Sequence, residues 1–387
     1  MSAIEVSVVI PSLNEEDTIA ICVDKAREAL RGAAIAGEVI VADNGSTDRT
    51  AAIAAAHGAS VVPVAERGYG SALMNGIAAA RGRFIVMGDA DDSYDFREVP
   101  RFVNKLREGF DIVQGCRLEA GGGTVLPGAM PLLHRWIGNP MFSRLARMMF
   151  SVPIHDIYCG MRGFTRELYD RLDLRCKGME FATEMIIKST LVGAKTSEVP
   201  VTLSPDGRVA HAAHLRTFRD GWRTLRFYLL YSPRWLFWYP GLLLILFGVL
   251  GYAVAMPGLR IRGIHFDAHT LLVSSLVIMV GYESISFGVL GRLFAYEEGL
   301  LPRKPELDRV MQMVTLERGV IAGLTAVIGG MLLIAVAVRQ WQSTGFANLD
   351  YSITMRWVIP GVLFAALGVQ TVLASFFASL LMLNRRR

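Results

Sequence analysis

The chain has few charged side chains, few cysteines and no segment typical of a cleavable leader. Only 19% of its 387 residues are charged and 52% are hydrophobic, a balance that favours a membrane protein. Its four cysteines have no metal-like spacing and predict buried free thiols; they are Cys22, Cys116, Cys159 and Cys176. No basic stretch followed by an apolar one opens the sequence, so we expect no signal peptide and a cytoplasmic start.

Long apolar runs are absent from the first 231 residues and dominate the remainder. A membrane span needs roughly 20 apolar residues, and four segments satisfy this: 236–256, 270–294, 319–338 and 357–383. The pattern predicts a cytoplasmic domain at residues 1–212 and a transmembrane domain at 236–387. An amphipathic interfacial helix is predicted between them, at 213–235, because arginines line one side of an apolar helical face.

Basic residues cluster on one side of the predicted spans. They precede the first span, lie between the second and third, and follow the fourth, whereas the other two loops carry only Arg260, Arg262, Arg339 and Arg356. By the positive-inside rule, both chain ends are expected in the cytoplasm. These juxtamembrane arginines account for the net charge of +5, so no nucleic-acid partner is inferred.

Short β-branched runs alternate with helical patterns in the first half. Strands are predicted at 6–10, 39–42, 60–64, 83–87 and 111–114, and helices at 15–30, 47–57, 69–80 and 98–108. Repeated strand–helix units predict an α/β, Rossmann-like domain with a mostly parallel sheet. Ligands of such sheets bind at the carboxyl ends of the strands.

Acidic residues follow the fourth predicted strand, in "FIVMGDADDSYDF". If the strand continued, Asp89 and Asp91 would project to one side and repel each other, and a divalent cation would relieve that repulsion. Oxygen ligands suit Mg²⁺ or Mn²⁺, which complete their shell with water and substrate phosphates. Alternatively, the aspartates cap the next helix and solvate a loop, since D-x-D alone is a weak motif.

Loops after the other strands could complete a nucleotide-diphosphate pocket. Asp43 ends the second strand, where it can bond a base or ribose, and "PSLNEE" brings Glu15 to the same cleft. The "GYG" at Gly68 to Gly70 opens a helix, whose N-terminus favours anions.

Five stretches resemble, in order, the motifs of glycosyltransferase family 2, in particular polyprenyl-phosphate hexosyltransferases akin to dolichol-phosphate mannose synthase. They are "VVIPSLNEEDTI", "VIVADNGSTDRT", "ERGYGSALMNGIAAARG", "FIVMGDADDSYDF" and "CGMRGFTRE". The resemblance implies a GT-A fold, a nucleotide-diphosphate sugar donor and a divalent metal on Asp89 and Asp91. It also implies a polyprenyl phosphate acceptor, and in-line attack by that phosphate should invert the anomeric carbon.

The resemblance also implies roles for single residues. Nucleotide binding falls to Pro11, Asn14, Glu15, Asp43, Gly68, Tyr69 and Gly70. Arg117 in "GCR" corresponds to the lipid-phosphate site, Asp156 lies beside the donor sugar, and Arg208 belongs to a loop that closes over the donor phosphates. The family often has two aspartates where this chain has Asp43 and Asn44.

Arginines after the fifth strand could bind the acceptor. Arg135, Arg144 and Arg147 lie in the aromatic and methionine-rich segment 130–150, which suits an interfacial helix pair. A guanidinium binds phosphate bidentately, so these residues are candidate clamps. Alternatively, Arg144 and Arg147 face lipid headgroups.

Three glutamates have two interpretations each. Glu180 and Glu184 share a helix face and could bond sugar hydroxyls; alternatively, Glu180 is an ordinary N-terminal helix charge and Glu184 pairs with Lys188. Glu283 lies within the second predicted span, where a carboxylate is a functional candidate or bonds a hydroxyl such as that of Ser286.

The sequence was also compared with the patterns of three other functions. A processive polysaccharide synthase would carry Q-x-x-R-W, whereas this chain has only "YSPRW". An oxidoreductase would carry G-x-G-x-x-G in its first strand–helix unit, and "GYGSA" is not that motif. A non-catalytic membrane scaffold that senses nucleotide sugar is the third alternative. A homo-oligomer is compatible with each of these functions.

Overall fold

A computed structural model describes residues 4–207, 217–297 and 315–383. The chain divides into two compact units between Tyr228 and Leu229. Arg208 and the first part of the predicted interfacial helix lie outside the described residues. The domain limits 212 and 235 stay predictions.

The first unit contains a seven-stranded mixed sheet in the order β3-β2-β1-β4-β7-β5-β8. Its strands are β1 Val6–Ser12, β2 Gly37–Asp43, β3 Ser60–Pro63, β4 Phe84–Met87, β5 Ile112–Cys116, β7 Arg162–Thr165 and β8 Thr196–Pro200. Two-residue strands β6 Thr124–Val125 and β9 Thr202–Leu203 form a separate parallel pair. Every pair in the large sheet is parallel except those of β7, which runs antiparallel to β4 and β5. The α/β, mostly parallel architecture and all five predicted strands are confirmed.

Eight helices accompany this sheet in the described chain. They are α1 Ile19–Gly32, α2 Thr50–Ala56, α3 Tyr69–Ala79, α4 Val99–Arg107, α5 Asn139–Phe150, α6 Arg166–Leu172, α7 Glu180–Leu191 and α8 Thr217–Tyr231. The predicted start of the first helix at residue 15 is wrong, because Asn14 has a left-handed φ of 57° and Thr18 is the N-cap. The acidic residues 15–17 therefore lie in the turn before α1.

The core of the first unit lies between the sheet and its helices. β1, β4 and β5 are buried along their whole length, as the continuous apolar runs predict, whereas β3 is a half-exposed edge strand. Phe102 of α4 and Ile19 of α1 are completely buried against this sheet. Full burial of such a side chain contributes roughly 1.5–3 kcal/mol.

The second unit contains α9 Tyr239–Ala255, α10 Ala268–Glu297, α11 Leu316–Ser343 and α12 Tyr351–Leu383. Four described helical segments are long and apolar enough to cross a membrane: Arg234–Ala255, Ala268–Tyr296, Leu316–Ser343 and Tyr351–Met382. The four predicted spans are confirmed, and most of them extend a few residues beyond the predicted limits. The first begins in a π-helical turn, Arg234–Trp238.

Glycines permit the closest contacts between these helices. A Cβ built on Gly323 of α11 would lie 2.6 Å from the Gly368 carbonyl oxygen, and one on Gly368 would lie 2.5 Å from that of Gly323. α11 and α12 thus touch backbone to backbone, as membrane helices do where small residues meet. Glu283 of α10 is exposed and has no described bond to Ser286, whose hydroxyl donates to the Tyr282 carbonyl (2.9 Å).

Candidate active site

The loops after β1, β2 and β4 meet at one edge of the sheet. β1 lies between the other two strands, and Ser12 at its end is in register with Asp43 at the end of β2. The expectation that β4 continues through the aspartates is wrong: it ends at Met87, and a turn follows in which Asp92 has a φ of 57°. Asp89 and Asp91 are therefore presented by a turn, and both are half-buried.

Asp89 lies between a tyrosine and a glycine. The hydroxyl of Tyr69 donates to Asp89 Oδ1 over 2.8 Å. Burial raises the pKa of the Tyr69 phenol and the neighbouring Asp89 carboxylate raises it further, so the phenol keeps its proton and acts as the donor. On the other side, a Cβ on Gly160 would collide with Asp89 Oδ2.

Asp91 is held by its own turn. Its Oδ1 accepts from the Ser93 amide (3.1 Å) and hydroxyl (2.5 Å), and its carbonyl accepts from the Gly207 amide (3.0 Å). Asp92, next along the chain, is instead paired with Lys25 at 2.7 Å. Ala90, between the two aspartates, is buried in the core.

The donor set suits a hard cation with few protein ligands. No group of three or more His, Cys, Asp or Glu side chains that could hold a metal occurs among the described residues. A structural zinc site would need such a group, whereas Mg²⁺ or Mn²⁺ binds through one or two carboxylates and takes further oxygens from water and phosphate. Asp89 and Asp91 fit that second pattern.

Hydrogen bonds join the loops after β1 and β2. Asp43 Oδ1 accepts from the Ser46 amide (3.3 Å) and from the Ser46 hydroxyl, which in turn accepts from the Asn14 amide at 2.9 Å. Glu15 is only 5% exposed, and its amide donates to the Thr50 hydroxyl (2.7 Å). Pro11 is buried within β1 opposite Ala42 of β2. The structure thus brings the predicted nucleotide-binding residues of these two loops together.

Asn44 anchors the turn before α3. Its amide group donates to the Glu66 carbonyl (2.8 Å), and its side-chain oxygen accepts from the Gly68 amide (2.7 Å). An ionised aspartate could make only the second bond, because it has no donor. Asparagine at this position therefore has a structural reason in this chain.

The glycines of "GYG" are required by contact with another part of the same chain. Gly68 has a φ of 146°, and a Cβ there would collide with the Lys177 carbonyl oxygen. A Cβ on Gly70 would collide with the Cys176 carbonyl oxygen. The sequence predicted that an anion would approach the backbone at these glycines. In the structure, the main chain of residues 176 and 177 lies against them.

Glu184 holds that contacting segment in place. It is fully buried, and its Oε2 accepts from the amides of Arg175 (3.1 Å) and Cys176 (2.8 Å). Its Oε1 pairs with Lys188 at 2.9 Å, so the Glu184–Lys188 alternative is the one that the structure forms. Glu180 lies 3.9 Å from Arg223. Sugar binding by either glutamate stays a prediction.

We expect Gly70→Ala to destabilise the first unit by about 1–3 kcal/mol, because the added methyl overpacks a rigid backbone contact. A lower midpoint of thermal unfolding of the full-length protein would show this. Gly32→Ala is the matched control, since a Cβ there meets nothing within 4 Å. Equal midpoints for the two variants would contradict the contact.

Arg117 and Asp156 form a buried ion pair. Arg117 Nε donates to Asp156 Oδ2 (2.7 Å) and Nη2 to Oδ1 (2.9 Å), while the Arg117 amide also donates to Oδ2 (3.0 Å). Burial alone would lower the pKa of the guanidinium, but the Asp156 carboxylate holds it above its ordinary value. Glu198 accepts from the His155 amide (2.6 Å) and, at 3.3 Å, from the Asp156 amide, which fixes the backbone below this pair.

Two parts of the chain match known family models. Residues 7–173 match the model of glycosyl transferase family 2, and residues 289–382 match the family 2 C-terminal transmembrane region. A low-salt glycan biosynthesis hexosyltransferase of Haloferax volcanii is 36% identical over 372 residues, which are 96% of this chain and 87% of that protein. The chain belongs to glycosyltransferase family 2. It is an integral membrane protein, because its transmembrane region matches as well.

Other relatives of this family 2 glycosyltransferase share its first unit. A dolichyl-phosphate hexose transferase of Haloferax volcanii is 32% identical over 197 residues, covering 51% of this chain and 82% of that protein. Among solved structures, glucosyl-3-phosphoglycerate synthase of Mycobacterium tuberculosis with Mn²⁺ and UDP aligns over 58% of this chain and 77% of that one, at 24% identity and a TM-score of 0.44.

The predicted acceptor arginines lie on a surface with exposed apolar side chains. Arg135 pairs with Glu119 at 3.1 Å and stacks over Trp136, and Arg144 and Arg147 are exposed. The exposed apolar residues are Leu132, Leu133, Trp136, Ile137, Met141, Met148 and Trp222. Phe142 packs edge-on against Tyr228 of α8, which joins α5 and α8 below this surface. The structure does not bring Arg135 or Arg144 into a described contact with Arg117.

Two residues of this glycosyltransferase's "CGMRGF" stretch had no role predicted from the sequence. Gly160 touches Asp89, and its amide donates to the buried Tyr94 hydroxyl (3.0 Å). Arg162 is fully buried on β7 and donates to the carbonyls of Ala182 (2.6 Å) and Cys159 (2.9 Å). The only sequence feature that could have indicated a role for Arg162 is its charge, which lies in a short segment that the structure shows to be the buried strand β7.

The cysteines are free, and three of the four are buried. Burial raises the pKa of the Cys116 and Cys159 thiols to about 12, so both stay protonated at neutral pH. The prediction of buried free thiols is confirmed for Cys22, Cys116 and Cys159, whereas Cys176 is half-buried.

Proposed function

We propose that this glycosyltransferase moves a hexose from a nucleotide-diphosphate sugar to a polyprenyl phosphate, with inversion, at the cytoplasmic face of the membrane. The observation that carries the proposal is the pair of half-buried aspartates after β4, next to the loops of β1 and β2, which are joined by hydrogen bonds. That arrangement suits a nucleotide diphosphate bound through a divalent cation.

The donor side is assigned to the loops at the ends of β1, β2 and β4. The Ser46 hydroxyl accepts a hydrogen bond from the Asn14 amide and donates one to Asp43. These bonds hold the two loops side by side, and we assign the base and ribose to the surface that they form. Asp89 and Asp91 would hold Mg²⁺ or Mn²⁺, which when bound neutralises the departing diphosphate. Arg208 is proposed to cover the donor phosphates.

The acceptor is proposed from the names of two relatives and from exposed arginines on this chain. Two relatives are named as hexosyltransferases, one of them acting on dolichyl phosphate. A chain with four membrane spans meets such a lipid in its own bilayer. The exposed arginines 144 and 147, set among exposed apolar side chains, suit a surface that receives an anionic headgroup at the interface.

The acceptor phosphate needs little activation. Its second pKa is near ~6, so it is largely ionised at neutral pH and no general base is required. The protein's task is to hold two anions together in line for attack. Arg117 would supply fixed positive charge for the acceptor, and Asp156, its bidentate partner, would hold that charge in place.

Glu184 acts by positioning in this proposal. Since both its carboxylate oxygens bond the protein, it would hold residues 175 and 176 against the "GYG" turn while other groups contact the sugar. The limits 1–212, 213–235 and 236–387 are retained as the domain organisation, with both chain ends in the cytoplasm.

Purified full-length protein should be incubated with Mn²⁺, undecaprenyl or dolichyl phosphate, and a panel of radiolabelled nucleotide sugars. We expect one donor to give an organic-extractable lipid with one hexose per phosphate, whose anomeric configuration by NMR is opposite to the donor's. A growing polysaccharide would instead indicate a processive synthase. No labelled product from any donor would reject the proposal in favour of a scaffold.

A further inference from the structure

A side-chain hydrogen bond from outside the turn reaches Asp89, one of the two proposed metal-binding carboxylates. Tyr69 is the first residue of α3, and its hydroxyl lies 2.8 Å from Asp89 Oδ1. Asp91, by contrast, is oriented by Ser93, two residues along the same turn. The orientation of Asp89 therefore depends on a separate element of the fold.

The position of Tyr69 is fixed by the backbone on both sides of it. Gly68 and Gly70 lie directly against the carbonyls of Lys177 and Cys176, where no side chain would fit. The Gly68 amide is bound by Asn44, and the Ser71 amide donates to the Lys177 carbonyl at 3.1 Å. The tyrosine ring therefore starts from a backbone with little freedom to shift.

Asp89 has equally little room to turn. Gly160 lies so close to Oδ2 that a methyl group there would displace the carboxylate. The Gly160 amide is itself held by the Tyr94 hydroxyl (3.0 Å). Tyr69 on one oxygen and Gly160 on the other thus select a single orientation of this side chain.

We propose that Tyr69 is a positioning residue, whose hydroxyl fixes the Asp89 carboxylate in the orientation that binds the divalent cation. The inference rests on the proposed function, because it needs Asp89 to be a metal ligand. Removal of a group that orients a metal ligand typically weakens metal affinity by about tenfold to a hundredfold. Tyr69 would act on the metal only through Asp89, so it is not a catalytic residue.

The test is a titration of the full-length protein with Mn²⁺ alone, in which free Mn²⁺ is followed by its EPR signal. We expect Tyr69→Phe to raise the dissociation constant about tenfold to a hundredfold and to raise the Mn²⁺ concentration for half-maximal transfer in step. At saturating Mn²⁺, kcat should return close to the wild-type value. Tyr169→Phe is the control: the ring of this half-buried tyrosine stacks on Phe164, and loss of its hydroxyl should leave Mn²⁺ binding as in the wild type.

Asp89→Asn separates this inference from the proposed function. If Asp89→Asn weakens Mn²⁺ binding and Tyr69→Phe does not, the positioning role is wrong and the metal site stands. If Asp89→Asn and the wild type bind Mn²⁺ alike, the metal assignment fails and the inference with it. Should Tyr69→Phe not fold, Gly160→Ala, which pushes the same carboxylate from its other side, is measured instead, and unchanged affinity there overturns the inference.

Discussion

Replacing Asp91 with alanine should reduce transfer by a factor on the order of 10³ or more, while the fold stays intact. The carboxylate is half-buried on a turn and bonds Ser93 of that same turn, so its loss removes no apolar packing from the core. It does remove one of the two carboxylates proposed to hold the cation. Transfer of labelled sugar to lipid, measured beside a thermal unfolding curve, checks both parts of the expectation.

Asp92→Ala is the matched control for this experiment. Asp92 follows Asp91 directly and bears the same charge, but it is paired with Lys25 on α1. Its loss should leave transfer nearly unchanged, since a partly exposed ion pair contributes about 0–1 kcal/mol. Near-normal transfer by a folded Asp91→Ala protein would reject the assignment of the metal to this turn.

The central strands were predictable because apolar runs mark them. β1, β4 and β5 are buried throughout and follow one another with helices between, so pattern and position agree. β7 was not predictable in the same way, since "RGFT" begins with an arginine and contains a glycine. It enters the core because Arg162 finds two main-chain carbonyls there, which only the assembled fold supplies. β8 lies at the sheet edge and buries only Val199, so its sequence carries no continuous apolar run.

The positions of Asp43, Asp89 and Asp91 were predictable, because these residues end or closely follow a strand. Their partners were not. Tyr69 bonds Asp89 from 20 residues away, and Asp156 bonds Arg117 from 39 residues away, and neither separation matches a local periodicity. Sequence reasoning placed Arg117 and Asp156 at different substrates, whereas the structure makes them one unit. Long-range pairing of this kind depends on strand order, above all on the antiparallel β7 between β4 and β5.

Removing one member of the Arg117–Asp156 pair should have the largest effect on stability. Asp156→Ala leaves a buried guanidinium without its carboxylate, and breaking a buried pair in this way typically costs about 3–5 kcal/mol. For a unit of this size, the midpoint of thermal unfolding should fall by roughly 10 °C. Tryptophan fluorescence of the full-length protein in detergent provides the measurement. Lys177→Ala is the control, because it breaks the exposed ion pair between Lys177 and Glu66. If Asp156→Ala lowered the unfolding midpoint as little as Lys177→Ala does, the prediction would be wrong.

Replacing both members at once separates their structural role from their proposed role in transfer. Arg117→Met with Asp156→Leu exchanges the buried pair for apolar side chains of similar length, and such exchanges are often neutral or stabilising. We therefore expect the double variant to unfold above Asp156→Ala but below the wild type, because the main-chain amides of Arg117 and Tyr158 still lose their acceptor on Asp156. If Arg117 serves the acceptor phosphate, this stable protein should still transfer sugar far more slowly, with its Mn²⁺ affinity unchanged. Normal transfer by the double variant would mean that the pair serves only the fold and that other basic side chains bind the acceptor phosphate.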